Sequence, residues 1–296
     1  MLDRIPSTVL AAAVGATDAV VVGCSAEPIA TGTGAATGAV TRLIGRAQAG
    51  GREHRFAMVR KEFRPLVAGR HAAGATDPSH WAYWRREPLA YASGALPAGP
   101  GLAAPRCYGV VDDVVYLQDV RGTPESPGVA ARRLGAWQAG TPVPDLPWLA
   151  RHQLAQRLAV SDLDWAAVDA DARLASIWSR RRELLAGLRS VPDVLSHGDF
   201  HIGQLVAADE TTMVLDWATV GISPVGADLA HLALSTLDDL ISEFLVGLAG
   251  RFDPEVVRVG YRATLALTGA SRVHWMLSRG MPVPQGYADF VADQAP

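Results

Sequence analysis

The side chains best suited to chemistry lie in one short polar segment and just after it. Residues 196–204 have the sequence SHGDFHIGQ, and Asp216 follows Gln204 after an intervening apolar stretch. Transfer of a phosphoryl group requires a carboxylate near the acceptor hydroxyl and oxygen ligands for the metal ions that neutralise the phosphates. These residue types and their spacing predict Asp199 as the catalytic base, with Gln204 and Asp216 as ligands of Mg²⁺.

A β-hairpin is predicted between the two candidate metal ligands. Residues 205–206 and 212–215 are short apolar runs, and the residues between them include the polar pair Asp209-Glu210. Two such runs joined by a short turn are typical of a hairpin. Because a hairpin brings the chain back on itself, we expect Asp216 to lie close to Asp199.

Lys61 is a further candidate, and it is the only lysine among the 27 basic residues. In a chain that otherwise uses arginine, a single retained lysine indicates a position that requires a compact ammonium group. Chance retention of one lysine is the alternative. It lies in a strand predicted over residues 55–63, where alternation directs Lys61 and Arg60 to opposite faces. We expect Lys61 to contact the phosphates of a nucleotide; a solvated lysine at a strand end is the alternative.

A glycine-rich segment precedes this strand. Gly32, Gly34 and Gly38 lie between two predicted strands and have the spacing G-x-G-x-x-x-G. Glycine lets a backbone approach phosphates closely, and amides in such a turn can bind them, so Gly34 is a candidate nucleotide contact. A flexible hairpin without a ligand explains the same residues.

The polar segment resembles the signature of the aminoglycoside phosphotransferase and choline kinase family of small-molecule kinases. The pattern H-G-D-x-x-x-x-N corresponds to residues 197–204, D-W corresponds to Asp216-Trp217, and G-A-D-L follows at residues 226–229. Gln204 departs from the usual Asn, and the form H-G-D-x-H-x-G-Q is similar to that of maltokinases and glucosamine kinases. The resemblance implies an α+β fold that is bilobal and protein-kinase-like, with an antiparallel-sheet small lobe and a mainly helical large lobe.

The same resemblance assigns further residues to a nucleotide site. Glu87, in a helix predicted over residues 79–95, would pair with the nucleotide-binding lysine. The main-chain groups of Gln118 and Val120 would face the adenine. His201 falls where many protein kinases carry a lysine directed at the transferred phosphate, so it would donate a hydrogen bond there or serve in packing. His197 is expected to hold the loop.

The resemblance also divides the chain into lobes. It implies an N-terminal nucleotide-binding lobe over residues 1–117, a hinge at 118–122, and a C-terminal catalytic and acceptor-binding lobe over 123–296. Sequence patterns predict helices in the large lobe at residues 126–138, 152–160, 165–188, 227–234, 237–248 and 253–277. Asp162, Asp164 and Asp169 are candidates to line a pocket for a cationic acceptor, or else are caps and surface charges.

Composition excludes several classes of partner. A formal net charge of −3 and a pI near 6.2 give no basic surface for nucleic acid. The 2 cysteines are too few for a disulfide scaffold or a structural zinc site. No apolar run approaches the roughly 20 residues needed to span a bilayer. We therefore expect a cytoplasmic protein, a monomer or homodimer, without nucleic-acid or membrane partners.

The sequence as a whole predicts a phosphotransferase. It would use ATP, or GTP, together with Mg²⁺ to phosphorylate a hydroxyl of a small molecule such as an aminoglycoside, another antibiotic or an amino sugar. A metal-dependent hydrolase is an alternative, because His197, Asp199 and His201 would project from one face of an extended segment. A nucleotide-binding regulator with weak catalysis is another alternative. It is suggested by Gln204 in place of Asn and by the glycine spacing G-x-G-x-x-x-G, which is one residue longer than the usual nucleotide-binding pattern.

Overall fold

A five-stranded antiparallel sheet forms the N-terminal part of the protein, in a computed structural model that describes residues 5–29 and 36–296. The sheet has the strand order β1-β2-β3-β6-β5, and a short strand, β4, joins a different sheet. Gly34 and Gly32 lie outside the described residues. The strands are β1 (Val20–Pro28), β2 (Thr37–Ala49), β3 (Arg52–Phe63), β4 (Leu102–Ala103), β5 (Cys107–Val111) and β6 (Val114–Gln118).

The central strand β3 carries Lys61. Its neighbours across the sheet are Val40 of β2 and Val115 of β6. One face of the sheet packs against helix α1 (Ser7–Val14) through a buried apolar cluster that includes Leu10 and Met58. Because side chains alternate along a strand, Lys61 points to the opposite face, where the second helix of the chain lies.

That second helix, α2 (Arg86–Ser93), is shorter than the sequence predicted. The predicted start at residue 79 was wrong, because the carbonyl oxygens of Pro78 and His80 accept hydrogen bonds from the Arg86 guanidinium. Residues 78–85 therefore form turns, and they hold Arg86 fully buried. Pro88 lies in the first helical turn, where a missing amide hydrogen breaks no helical bond.

Helices dominate the chain after β6. The helix predicted over residues 165–188 is interrupted, because the Asp171 side chain accepts a hydrogen bond from the Arg173 amide and begins a new helix. Among the described residues, no helix is both long enough and apolar enough to cross a membrane. The helices are α3 (Pro127–Gly140), α4 (Gln153–Ala159), α5 (Ala172–Ser179), α6 (Arg181–Leu188), α7 (Ala227–Thr236), α8 (Ile241–Leu248), α9 (Pro254–Leu277) and α10 (Tyr287–Gln294).

Two small ladders hold the polar segment between the sheet and these helices. Strands β7 (Asp193–Ser196) and β10 (Gly221–Pro224) pair antiparallel, and they flank the segment on its two sides. Strands β8 (Leu205–Ala208) and β9 (Thr211–Val214) form the hairpin that the sequence predicted, and β4 pairs in parallel with β9. The α+β fold class is confirmed, with an antiparallel sheet followed by mainly helical structure.

Candidate active site

The loop that follows β7 is held in place by hydrogen bonds to Asp228, in the first turn of α7. The two carboxylate oxygens of Asp228 accept hydrogen bonds from the Ser196 hydroxyl and from the amides of His197 and Gly198, at 2.8 to 2.9 Å. Gly198 has φ of 82°, and a Cβ there would lie 2.5 Å from the Thr219 carbonyl oxygen. The loop therefore requires both a buried carboxylate and a glycine to turn this sharply.

His197 is held within the loop and is not free to bind a ligand. One ring nitrogen, Nε2, lies 2.9 Å from the Leu215 carbonyl oxygen, and the other, Nδ1, accepts a hydrogen bond from the Asp199 amide. The ring also contacts Trp217 edge to face, at 4.7 Å between ring centres. These contacts join the loop to the hairpin that ends at Asp216, so His197 positions the two aspartates relative to each other.

Asp199 projects from this loop towards one arginine and two histidines. Its Oδ1 lies 3.5 Å from His231 Nδ1 and 3.8 Å from Arg272 Nη2, and its Oδ2 lies 3.9 Å from His201 Nε2. Burial by itself would raise the pKa of Asp199, but the hydrogen bond with His231 and the nearby histidines lower that pKa well below its usual range. Asp199 is therefore ionised at neutral pH, and a partly exposed carboxylate is available to a hydroxyl group.

Lys61 lies on the other side of the cleft, between two carboxylates. Its Nζ donates to both Glu87 oxygens, at 2.8 and 2.7 Å, and to Asp216 Oδ1 at 3.1 Å. Lys61 and Glu87 are only 8% and 1% exposed. Burial opposes the charge on Lys61, but the Glu87 and Asp216 carboxylates outweigh it and raise the pKa of the ammonium. Lys61 therefore stays charged, and Glu87 fixes where it points.

Asp216 and Gln204 form a pair of oxygen-bearing side chains at the end of the hairpin. Gln204 Nε2 lies 3.4 Å from Asp216 Oδ2, and Asp216 has a left-handed backbone with φ of 61°. Non-glycine residues seldom adopt that conformation, and strain of this kind is concentrated at functional sites. Mg²⁺ is commonly bound by one or two protein carboxylates together with substrate phosphates. The donor set fits Mg²⁺ once the Gln204 amide turns its oxygen towards Asp216.

A cleft of about 470 Å³ separates the sheet from the catalytic loop. Lys61, Gln204 and Asp216 line it, so the structure brings these predicted residues together. Gln118 and Val120 line the same cleft at the end of β6, and His201 closes it on the loop side. Glu87 lies behind Lys61. The roles assigned to these residues stay predictions, while their convergence on one cavity is observed.

Three predicted acidic residues do not contribute to the site. Asp162, Asp164 and Asp169 are exposed, and none of them lines the cleft. Asp164 instead caps a 3₁₀ turn by accepting a hydrogen bond from the Ala166 amide. The capping alternative therefore applies to Asp164, and the cleft gives no support to the prediction that these aspartates line an acceptor pocket.

Three basic residues beside Asp199 were missed from the sequence. Arg157 lies on α4, His231 on α7 and Arg272 on α9, so distant parts of the chain supply them. His231 offered the only signal, since it interrupts an otherwise apolar stretch of α7. The two arginines stand among many others in the sequence, and no spacing distinguishes them.

Comparisons with known proteins identify the family of this chain. The sequence model of the APH family, described as the phosphotransferase enzyme family, matches residues 110–260, just over half of the chain. A search of curated proteins found no match.

Similar folds occur among solved structures. The amicoumacin kinase hAmiN, in complex with AMP-PNP, Ca²⁺ and Ami, has a TM-score of 0.55 at 13% identity and covers 91% of this chain and 89% of its own. The GDP complex of aminoglycoside 2'-phosphotransferase-IIIa has a TM-score of 0.53 at 14% identity, covering 91% and 90%. Macrolide 2'-phosphotransferase type I has a TM-score of 0.53 at 17% identity, covering 100% and 99%. The chain therefore belongs to the APH phosphotransferase enzyme family and is a small-molecule kinase.

Proposed function

We propose that the protein transfers the γ-phosphoryl group of ATP, or of GTP, to a hydroxyl of a small molecule. The observation that carries this proposal is the contact of Lys61 with Asp216 at 3.1 Å, which joins the sheet to the catalytic hairpin across one cleft. A cation for phosphates and a carboxylate for a metal ion thus lie side by side. A carboxylate base lies on the adjoining loop.

The reaction would proceed by positioning and charge neutralisation. Lys61, oriented by Glu87, would bind the α and β phosphates, while Gln204 and Asp216 would hold Mg²⁺, which supplies positive charge to the phosphate oxygens. Asp199 would orient the acceptor hydroxyl and take its proton. The hydroxyl oxygen forms a bond to the γ phosphorus, the bond from that phosphorus to the bridging oxygen breaks, and the nucleoside diphosphate leaves with the electron pair.

His201 is suited to assist as a neutral hydrogen-bond donor. Its Nδ1 accepts from the Gly203 amide at 3.2 Å, so in the neutral ring the proton is on Nε2, which faces the cleft beside Asp199. Burial lowers the pKa of His201 despite the attraction of Asp199. A neutral ring with an Nε2 hydrogen could donate to the γ phosphate without competing with Lys61 for charge.

The adenine would bind where β6 ends. Gln118 and Val120 line that end of the cleft, and Leu117 beside them is buried. The Gln118 amide already donates to the Arg106 carbonyl oxygen, so the Gln118 carbonyl is the group that remains for the base. We assign Gly34 to the phosphates on its sequence pattern alone. Dependence on ATP or GTP favours a cytoplasmic location.

Two other functions were open on the sequence, and the contacts favour neither. A hydrolase using His197, Asp199 and His201 needs free ring nitrogens, whereas both nitrogens of His197 are engaged. Among residues 5–29 and 36–296, no group of three His, Cys, Asp or Glu side chains could hold a metal ion. A weak regulator would bind ATP without turnover, and the assay below separates that case.

The test is ATP consumption with a panel of hydroxylated compounds, followed by mass spectrometry of each compound. We expect one class of compound to gain a phosphate in the presence of Mg²⁺, with loss of this product in Asp199→Asn. Aminoglycosides, peptide antibiotics, amino sugars and maltose belong in the panel. ATP binding without phosphate transfer to any compound would favour the regulator, and zinc-dependent hydrolysis without ATP would favour the hydrolase.

A further inference from the structure

A second cavity, of about 80 Å³, adjoins the catalytic loop on the side away from the sheet. It is bounded by α4, by the loop itself, and by α7 and α9. On this measure a single water needs roughly 10–15 Å³, so the cavity has room for a small polar group together with water. Its walls include His231 and Arg272, the two residues that also contact Asp199. A molecule with its hydroxyl at Asp199 could therefore extend into this cavity.

Two hydroxyl groups in the cavity wall lack hydrogen-bond partners. Thr264 and Thr268, one turn apart on α9, are 2% and 9% exposed, and the Oγ1 atom of each is buried without a partner. Leaving a buried hydroxyl without a hydrogen-bond partner is energetically unfavourable. Helix α9 therefore presents two donors that a bound group could satisfy, and both line the cavity.

The charged side chains among the described residues that line the cavity are two arginines, Arg157 and Arg272, and one aspartate, Asp228. The Arg157 guanidinium stacks on Trp81, 4.1 Å from the ring centre, and forms no salt bridge with any described residue. With the Gln153 amide oriented so that its nitrogen donates to the Gly198 carbonyl oxygen, Arg157 Nε and Nη2 donate to the Gln153 oxygen at 3.3 and 2.6 Å, which leaves Nη1 for a ligand. Burial lowers the pKa of Arg157 to about 10, which leaves it charged at neutral pH. Arg272 is the second guanidinium, and its side chain is 35% exposed. Both arginines line the same cavity.

The remaining titratable groups of the wall do not offset these cations. Of the described residues that line the cavity, Asp228 is the only carboxylate, and its oxygens are engaged by the loop amides, by Ser196 and by Gln138. Burial lowers the pKa values of His152 and His231, which disfavours a positive charge on either ring. A cationic acceptor would meet two arginines in this wall, and the carboxylate beside the wall, Asp199, already lies 3.8 Å from Arg272 Nη2.

We propose that this cavity binds an anionic group of the acceptor, a carboxylate or a phosphate ester, between Arg157, Arg272 and the two threonine hydroxyls. Guanidinium groups bind such oxyanions through paired hydrogen bonds. The acceptor is then an anionic hydroxy compound and not a polycation. This assignment rests on the proposed phosphotransferase function, because it makes the cavity a part of the acceptor site.

The test compares four matched pyranoses with the full-length protein. Glucuronate and glucose 6-phosphate carry an oxyanion, glucose is neutral, and glucosamine is cationic. Affinities are measured by isothermal titration at constant ionic strength and neutral pH, with a non-hydrolysable ATP analogue and Mg²⁺ present. We expect at least one anionic sugar to bind about tenfold or more tightly than glucose, and glucosamine to bind most weakly. Which anionic sugar binds distinguishes a carboxylate site from a phosphate site.

Variants then locate the preference. Arg272→Gln and Thr264→Val should each reduce the preference for the anionic sugar several-fold. Thr264→Val changes the side-chain volume little, so it tests the proposal even if the loss of an arginine disturbs folding. Arg258→Gln is the matched control, since Arg258 lies on the same helix and pairs with Glu255 at 2.8 Å, away from the cavity. It should keep the full preference.

The result that overturns the proposal is binding of glucose or glucosamine as tight as that of both anionic sugars, or no binding of either anionic sugar. An anion preference that survives in both Arg272→Gln and Thr264→Val would overturn it as well. Binding of the ATP analogue is recorded in the same samples. If the analogue binds and the anion preference is missing, only the acceptor assignment fails. If the analogue does not bind, the proposed function itself fails.

Discussion

The two sides of the proposed catalytic centre, around Lys61 and around Asp199, differ in how completely their polar groups are paired. On the proposed nucleotide side, Lys61 is shared by two carboxylates, Glu87 and Asp216, so the three side chains hold one another in place without a ligand and, when all are ionised, leave one net negative charge. On the acceptor side, Asp199 faces Arg272 and His231, beside a cavity with two unpartnered hydroxyls. The polar groups of the proposed nucleotide side thus bind one another, while the proposed acceptor side has two buried hydroxyls without partners among the described residues.

This contrast predicts that substitutions on the two sides fail in different ways. Asp199→Asn should have the largest effect on turnover, a loss of about 10²–10⁴-fold, because it removes the base and leaves the phosphate contacts in place. Steady-state phosphate transfer and equilibrium ATP binding are measured on the same preparation. Asp209→Asn, in the exposed hairpin turn, is the matched control and should keep full activity. Normal turnover in Asp199→Asn would remove the base from the account.

On the nucleotide side, Lys61→Met should impair both stability and binding. Removing one partner of a buried ion pair costs about 3–5 kcal/mol, because Glu87 is left buried and uncompensated. Urea unfolding measures this loss, and titration with ATP measures the accompanying loss of affinity. The double variant Lys61→Met/Glu87→Leu should recover much of the stability but none of the ATP affinity. Recovery of both would show that Lys61 serves the fold alone.

Substitution of Asp228, which accepts hydrogen bonds from the loop after β7, should lower turnover by changing the position of Asp199. Asp228→Asn leaves one carbonyl oxygen where two carboxylate oxygens accepted hydrogen bonds from Ser196, His197 and Gly198. We expect a loss of about 2 kcal/mol in the free energy of unfolding, and a lower kcat with unchanged ATP affinity. A change in ATP affinity as large as the change in kcat would mean that the two sides are not separable in this way.

The smallest effect is expected from pH. The pKa of Asp199 is lowered in the folded protein, so its ionisation contributes stability above the unfolded value of about 3.9, and that contribution is lost as pH falls through the folded value. The stability difference between the wild type and Asp199→Asn should be constant from about pH 5 to pH 8 and shrink in acid. Protonation of Asp199 should likewise cause no fall in kcat/KM between pH 8 and pH 5. A transition near pH 6.5 in kcat/KM that is absent from Asp199→Asn would contradict this assignment.

The two sides also differ in how far the sequence predicted them. Lys61, Glu87 and Asp216 come together as expected, because a solitary lysine, a helix motif and a D-W pair each leave a local pattern. The hairpin between Gln204 and Asp216 was predicted from its two short apolar runs and the polar turn between them. The positions of Arg157 and Arg272 beside Asp199 were not predicted. Neither arginine has a distinctive sequence pattern, and they come near each other only when α4 and α9 pack together.

The errors in the fold have similar causes. The helix expected from residue 79 begins at Arg86, because a buried guanidinium engages the carbonyl oxygens of the preceding turns. The helix expected over 165–188 divides where Asp171 caps a new start. In both cases a side chain competes with the backbone for hydrogen bonds, and apolar periodicity carries no information about that competition.

The central claim is that Lys61, Asp199 and Asp216 surround one magnesium-bound nucleotide. A crystal structure of the protein with a non-hydrolysable ATP analogue and Mg²⁺ tests it most directly. We predict Lys61 Nζ within about 3 Å of an α or β phosphate oxygen, Gln204 and Asp216 oxygens at about 2.1 Å from the metal, and Asp199 facing the γ phosphate. A nucleotide bound outside this cleft, with Lys61 still held between Glu87 and Asp216, would contradict the account.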